Sequence, residues 1–140
     1  MANHPDNEPI LGFAPGSDER VMLQAEMDRQ ISEVVEIPCI INGEEVFTGV
    51  TVPQVIPHNH GHVLANVHLA GREEMEAACA AAVAAQQDWI DLGLEGRCAI
   101  FERCADFLAG DWRMRVNAST MLNQSKTAFQ AEIDAACELI

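Results

Sequence analysis

Five histidines, five cysteines and one polar helix junction carry the chemistry available to this 140-residue chain. The run His58-Asn59-His60-Gly61-His62 has metal-ligand composition, because alternation along a strand would set three imidazoles on one face. No carboxylate or thiol lies close to it in sequence, however, and Pro57 with Gly61 predicts a solvated turn in which alternation fails, so no metal is expected. The thiols Cys39, Cys79, Cys98, Cys104 and Cys137 are odd in number and form no Cys-x-x-Cys pair, which argues against a disulfide framework or a zinc ribbon. Arg97 and Arg103 flank Cys98 and Cys104, yet both thiols fall on the apolar stripe of a predicted helix, where packing in a core is the expected role. No glycine-rich phosphate loop is present. The third feature is the stretch Asn123 to Ala136, which sets Gln124, Ser125, Lys126 and Thr127 at a junction and Gln130, Glu132 and Asp134 in the next two turns. Taken by itself it reads as a surface loop and an amphipathic helix with exposed acids.

The elements that would position these groups follow from composition and periodicity. Lys and Arg number 8 against 22 Asp and Glu, a net charge of −14, which would repel nucleic acid and anionic membrane alike. Hydrophobic residues make up 49% of the chain, enough for a folded core, and no apolar run approaches the roughly 20 residues of a membrane helix. The acidic N-terminus lacks the basic and apolar regions of an export or organelle signal, so a cytoplasmic location is expected. Residues 1–16, with Pro5, Pro9 and Pro15, predict an extended arm that orders only against something else and is not a core element. Ser17, Asp18 and Glu19 open a helix whose stripe Leu23, Met27, Ile31 and Val34 carries it to about Val34.

Pro38 ends that pattern, and Asn42-Gly43 between β-prone runs predicts a hairpin from Cys39 to Thr48 with a type I′ turn. An extended segment from Gly49 to Ile56, a break from Pro57 to Gly61, and a strand from Val63 to Leu69 follow. From Arg72 the rhythm is helical: an Ala-rich helix to about Trp89, a second closed by Gly110, a third from about Trp112 to Leu122, and a fourth from near Thr127. That last stripe, Ile133, Cys137 and Ile140, has no C-cap signal, which suggests a truncated chain.

At the Asn123 to Ile140 segment, NQSKTAFQAEIDAACELI, the chain resembles the L-glutamate γ-semialdehyde (Δ1-pyrroline-5-carboxylate) dehydrogenases of the aldehyde dehydrogenase superfamily. The same family is resembled, in the same order, by Asn7 to Arg20, Glu36 to Gly49, Val55 to Ala70 and Ile100 to Leu122. The resemblance implies an α/β fold of which residues 17–140 form the N-terminal part of the cofactor-binding domain: an arm and helix, a hairpin and edge strands, then a run of helices. It also implies NAD-dependent oxidation of L-glutamate γ-semialdehyde to L-glutamate in proline catabolism by a homo-oligomeric parent, with no nucleic acid or membrane partner. In that chemistry a cysteine thiolate attacks the aldehyde, hydride passes to NAD, and a glutamate-activated water hydrolyses the thioester. The nucleophile, the general base and the NAD turn are expected beyond the stretch matching Ile140, so no cysteine here is assigned as catalytic.

One family role falls within the chain. Glu132 matches an acidic residue of the substrate tunnel and is expected to attend the substrate's α-ammonium group; about 200° of helical rotation separates it from Asp134, so the two cannot both point inward. Two departures stand out: Asn123 replaces a Gly and is expected to close its helix in the left-handed conformation, and Gly71 replaces an acidic cap. An independent, non-catalytic binding or scaffold domain of the same ancestry is the alternative reading.

Overall fold

The structure, a computed structural model, describes residues 8–140, apart from the side chain of Cys137; the first seven residues of the predicted arm and that thiol lie outside the described set. Helix α1 (Asp18–Ser32) opens at Ser17 with Asp18 and Glu19 in its first turn. It stops two residues short of the expected end, because Glu33 and Val34 already lead into a strand, Val35-Glu36-Ile37. β1 (Val35–Ile37) runs parallel to β5 (Asn59–His68), pairing Val35 with Ala65 and Ile37 with Val67. β4 (Thr51–Ile56) lies antiparallel on the other side of β5, giving the order β1-β5-β4. Pro53 is tolerated in β4 because that strand is an edge and its missing N–H leaves no ladder bond unmade.

The predicted hairpin is present as β2 (Cys39–Ile41) and β3 (Glu44–Val46). Asn42 (φ 54°) and Gly43 (φ 80°) both take positive φ, as a type I′ turn requires. The β4–β5 connection is tighter than expected: only Pro57 and His58 turn, and Asn59 to His62 already belong to β5, with register shifts beside Gln54, Val55 and Ile56 absorbing the irregularity.

Four more helices complete the chain: α2 (Arg72–Asp91), α3 (Gly93–Ala109), α4 (Arg113–Gln124) and α5 (Ala128–Ile133). After α5 the chain widens into a π-helical turn, Asp134–Leu139. Gly71 has no side chain to cap α2, but Glu74 Oε2 accepts from its amide at 2.7 Å and supplies half of a capping box. Asn123 is not left-handed. It lies within α4, its Nδ2 donating to Ser119 O at 3.0 Å, and the left-handed closing residue is Ser125 (φ 55°) two positions on.

The core lies where α4 is clasped between α1 and the sheet. Phe13, Leu23 and Ala118 form one cluster with Leu11, Met27, Met114, Met121 and Ala128 around it; Ile56, Leu64 and Leu122 form a second, joined to the first by Met27. Phe13 thus corrects the expectation that the arm contributes nothing to the core: its ring plugs the α1–α4 seam although its backbone sits at φ 48°. Helices α2 and α3 bury no residue at all.

Candidate functional site

The polar groups that the fold brings together meet at the seam of the arm, α4 and α5. Thr127 opens α5 with a full capping box: its Oγ1 accepts from the Gln130 amide at 3.3 Å, and Gln130 Oε1 accepts from the Thr127 amide at 3.0 Å. This cap sets the rotation of α5. It turns Glu132 inward, fully buried, and leaves Asp134 half-buried in an ion pair with Lys126. The expected division between the two acids is therefore observed.

What Glu132 meets is another matter. Its Oε1 accepts from the Leu11 amide at 2.8 Å and from Arg113 Nη2; its Oε2 accepts from Arg113 Nε at 3.3 Å and from Asn117 Nδ2 at 2.7 Å. Four donors take up the acceptor positions of both oxygens. An ammonium group could reach this carboxylate only by displacing one of them, so the expected substrate role is not the role this geometry gives the residue: Glu132 ties three segments together. Burial alone would raise its pKa, but the Arg113 bond, the Leu11 amide and Asn117 outweigh burial and hold it below the ordinary carboxylate value. Arg113, itself buried, also donates to the Glu8 carboxylate and to the carbonyl of Pro9. Arg113, Asn117, Glu8 and the Leu11 amide were not foreseen as partners of Glu132. The signal existed only as spacing within α4, where Arg113 and Asn117 stand four apart on one face, and nothing local points that face at α5.

The histidine run does not assemble a metal site. His58 Nδ1 lies 2.8 Å from Ser125 Oγ, His62 Nε2 lies 3.1 Å from Ile31 O, and among the described residues no group of three His, Cys, Asp or Glu side chains is placed to hold a metal ion. Cys79, Cys98 and Cys104 are exposed free thiols rather than core residues, and Cys39 is half-buried with its thiol 3.5 Å from His68 O. The helix that carries Cys98 and Cys104 buries none of its residues against the other described elements.

A dinucleotide does not fit the residues present. The β5–α2 connection has a glycine at the start of a helix, but the Gly71 amide is already taken by Glu74, and Glu73 and Glu74 would repel a pyrophosphate from that first turn. No helix among the described residues is long and apolar enough to cross a membrane.

Comparison with known proteins places this arrangement. Residues 47–139 match the model of the aldehyde dehydrogenase family. The Δ1-pyrroline-5-carboxylate dehydrogenase of Agaricus bisporus is 44% identical over 134 residues, 95% of this chain and 24% of that protein. The mitochondrial enzyme of the same name from Homo sapiens is 42% identical, over 96% of this chain and 24% of its own length. A crystal structure of the Mycobacterium tuberculosis Δ-pyrroline-5-carboxylate dehydrogenase bound with NAD superposes with a TM-score of 0.93 at 40% identity, over 99% of this chain and 26% of that one. A 1-pyrroline-5-carboxylate dehydrogenase from Thermus with bound NAD superposes at 0.88 with 27% identity, over 97% and 26%. The chain spans about a quarter of the length of these relatives, and by the family match over residues 47–139 it belongs to the aldehyde dehydrogenase family.

Proposed function

We propose that this chain serves as the N-terminal part of an NAD-dependent dehydrogenase that oxidises L-glutamate γ-semialdehyde, the open form of Δ1-pyrroline-5-carboxylate, to L-glutamate in proline degradation. The observation that carries this reading is the superposition on the M. tuberculosis enzyme over 99% of the chain at 40% identity. Its share of the function is positional. The arm, α4 and α5 form one buried unit, and α2 and α3 offer apolar faces to whatever completes the cofactor domain; the nucleophile, the base and the NAD site belong to the part of the enzyme that these residues do not match. The four free thiols among the described residues agree with a reducing, cytoplasmic setting for such an enzyme, and its assembly is a homo-oligomer without nucleic acid or membrane.

The test is complementation. The chain is co-expressed with the remainder of the M. tuberculosis enzyme, lacking the matched N-terminal quarter, and NADH formation is followed with L-glutamate γ-semialdehyde. Neither part alone should reduce NAD, and the pair should. Turnover by the chain alone, or a soluble, stably associated pair without activity, would overturn the proposal.

A further inference from the structure

The segment Glu8-Pro9-Ile10-Leu11-Gly12-Phe13 is held to the rest of the molecule in an unusual way. It joins no sheet and no helix. Its polar attachments converge on two side chains: the Arg113 guanidinium takes the Glu8 carboxylate and the Pro9 carbonyl, and the Glu132 carboxylate takes the Leu11 amide. Its apolar attachment is chiefly one ring, Phe13, seated on Leu23 and Ala118, with Leu11 packed beside it, whereas Ile10 stays half exposed and Gly12 faces open space. Immediately after Phe13 comes a turn, Ala14 to Ser17, closed by a Ser17 amide to Ala14 carbonyl bond of 3.0 Å, in which Gly16 at φ 83° takes a conformation that glycine adopts freely. Phe13 itself sits at φ 48°, a conformation a bulky residue abandons once its ring is unseated.

We propose that residues 8–13 are a strap that unclips as a unit about the Ala14–Gly16 turn, with the Arg113–Glu132 pair as its clasp, while α4 and α5 remain folded. The geometry supports separate opening because the clasp closes on itself. When the strap leaves, Arg113 and Glu132 still bond to each other and Glu132 keeps Asn117, so neither buried charge is left alone. Lifting Phe13 would enlarge the open pocket of about 230 Å³ that it lines with Arg20, Leu23, Gln24, Met27, Met121 and Ala128, and would uncover the apolar contacts with Leu23 and Ala118 beneath its ring.

Hydrogen exchange read by mass spectrometry on the full chain tests this, in the wild type and in two strap variants that keep the Leu11 position's amide, Leu11→Ala, which trims the packing beside the ring, and Phe13→Ala, which removes the plug. In both variants the residue-11 amide, the one in the strap that Glu132 holds, should exchange about tenfold faster or more, with protection in α4 and α5 unchanged. In the wild type, low urea should leave exchange of the Leu11 amide unaltered while accelerating exchange in α4, as expected for a local opening that exposes little surface. Loss of α4 and α5 protection in step with the strap, including failure of either variant to fold, would make the segment an integral part of the core and overturn the proposal. So would unchanged protection of the residue-11 amide in both variants.

Discussion

At the scale of single residues the molecule turns on one buried ion pair. A carboxylate and a guanidinium removed from water are costly unless their lone pairs and donors find partners, and here Leu11, Asn117, Glu8 and Pro9 supply those that the pair does not give itself on both Glu132 oxygens and on all three guanidinium nitrogens. Arg113→Met, which leaves Glu132 charged and buried, should cost about 3–5 kcal/mol of stability in urea unfolding, while Arg113→Met with Glu132→Leu should recover a large part of it. The acid limb of stability should report the same carboxylate. Glu132 titrates below its ordinary value in the folded chain, so its contribution is fully present above the unfolded carboxylate pKa and is lost as pH falls through the lower folded value. Arg113 is shifted upward, although burial opposes this, and stays charged throughout that range. Glu132→Gln should therefore flatten the acid limb, and a limb that keeps its slope would show that other carboxylates set it. Glu26 is also lowered, by its Arg29 bond before all else, but that pair is partly exposed, so added salt should erode its share and spare that of Glu132. In the complemented enzyme, Glu132→Gln should reduce kcat/KM for the amino-acid aldehyde and for a plain aldehyde by the same factor. A loss confined to the amino-acid substrate would restore the ammonium role suggested by the resemblance.

At the scale of elements, what was legible in the sequence was what neighbouring residues decide. The β2–β3 hairpin follows from Asn42-Gly43, whose tolerance of positive φ is a property of those two residues. Asn42→Ala should cost about 1–2 kcal/mol, the penalty for a Cβ residue without a polar side chain in the left-handed region, measured by the shift in the urea midpoint. The helix starts at Asp18 and Arg72 and the cap at Thr127 were equally local. What escaped depends on partners distant in sequence. Val35 and Ile37 extend the stripe of α1 as plausibly as they make a strand, and only their pairing with Ala65 and Val67 decides for the strand. The helix closure moved from Asn123 to Ser125 for a similar reason: His58, from the β4–β5 turn, bonds the Ser125 side chain and supports the left-handed residue there. The candidate site was half legible. Helical rotation separates Glu132 from Asp134, but which of them turns inward was implied by the resemblance rather than by the periodicity of α5, and the neutralisation of Glu132 by Arg113 requires knowing that α4 and α5 fold back on each other and that the arm lies across both.

At the scale of the whole molecule, the apolar residues divide into a small core around α4 and a large exposed set on α2 and α3. Val83 is 74% exposed, Leu94 71% and Phe101 66%, and Trp89 meets Phe101 edge to face at 6.4 Å on the open surface. Contiguous exposed apolar area of a few hundred Å² or more usually marks a contact surface, so the isolated chain should self-associate and bind an apolar-surface dye. Val83→Lys with Leu94→Lys tests whether these faces are responsible. Both positions are exposed, so each change should alter the urea midpoint by no more than about 0.5 kcal/mol, yet light scattering should show a shift toward monomer and dye binding should fall. Lysine is the informative choice because it brings a net charge of −14 two units closer to zero; reduced association then cannot be credited to greater mutual repulsion. The same pair of substitutions should have the opposite effect in complementation. If α2 and α3 are the faces on which the remainder of the dehydrogenase packs, two lysines buried there would lose hydration without partners, and assembly and NADH formation should fail together. A lysine variant that becomes monomeric alone but still assembles an active enzyme would show that these helices face solvent in the complete protein, and their exposed apolar residues would then need another partner.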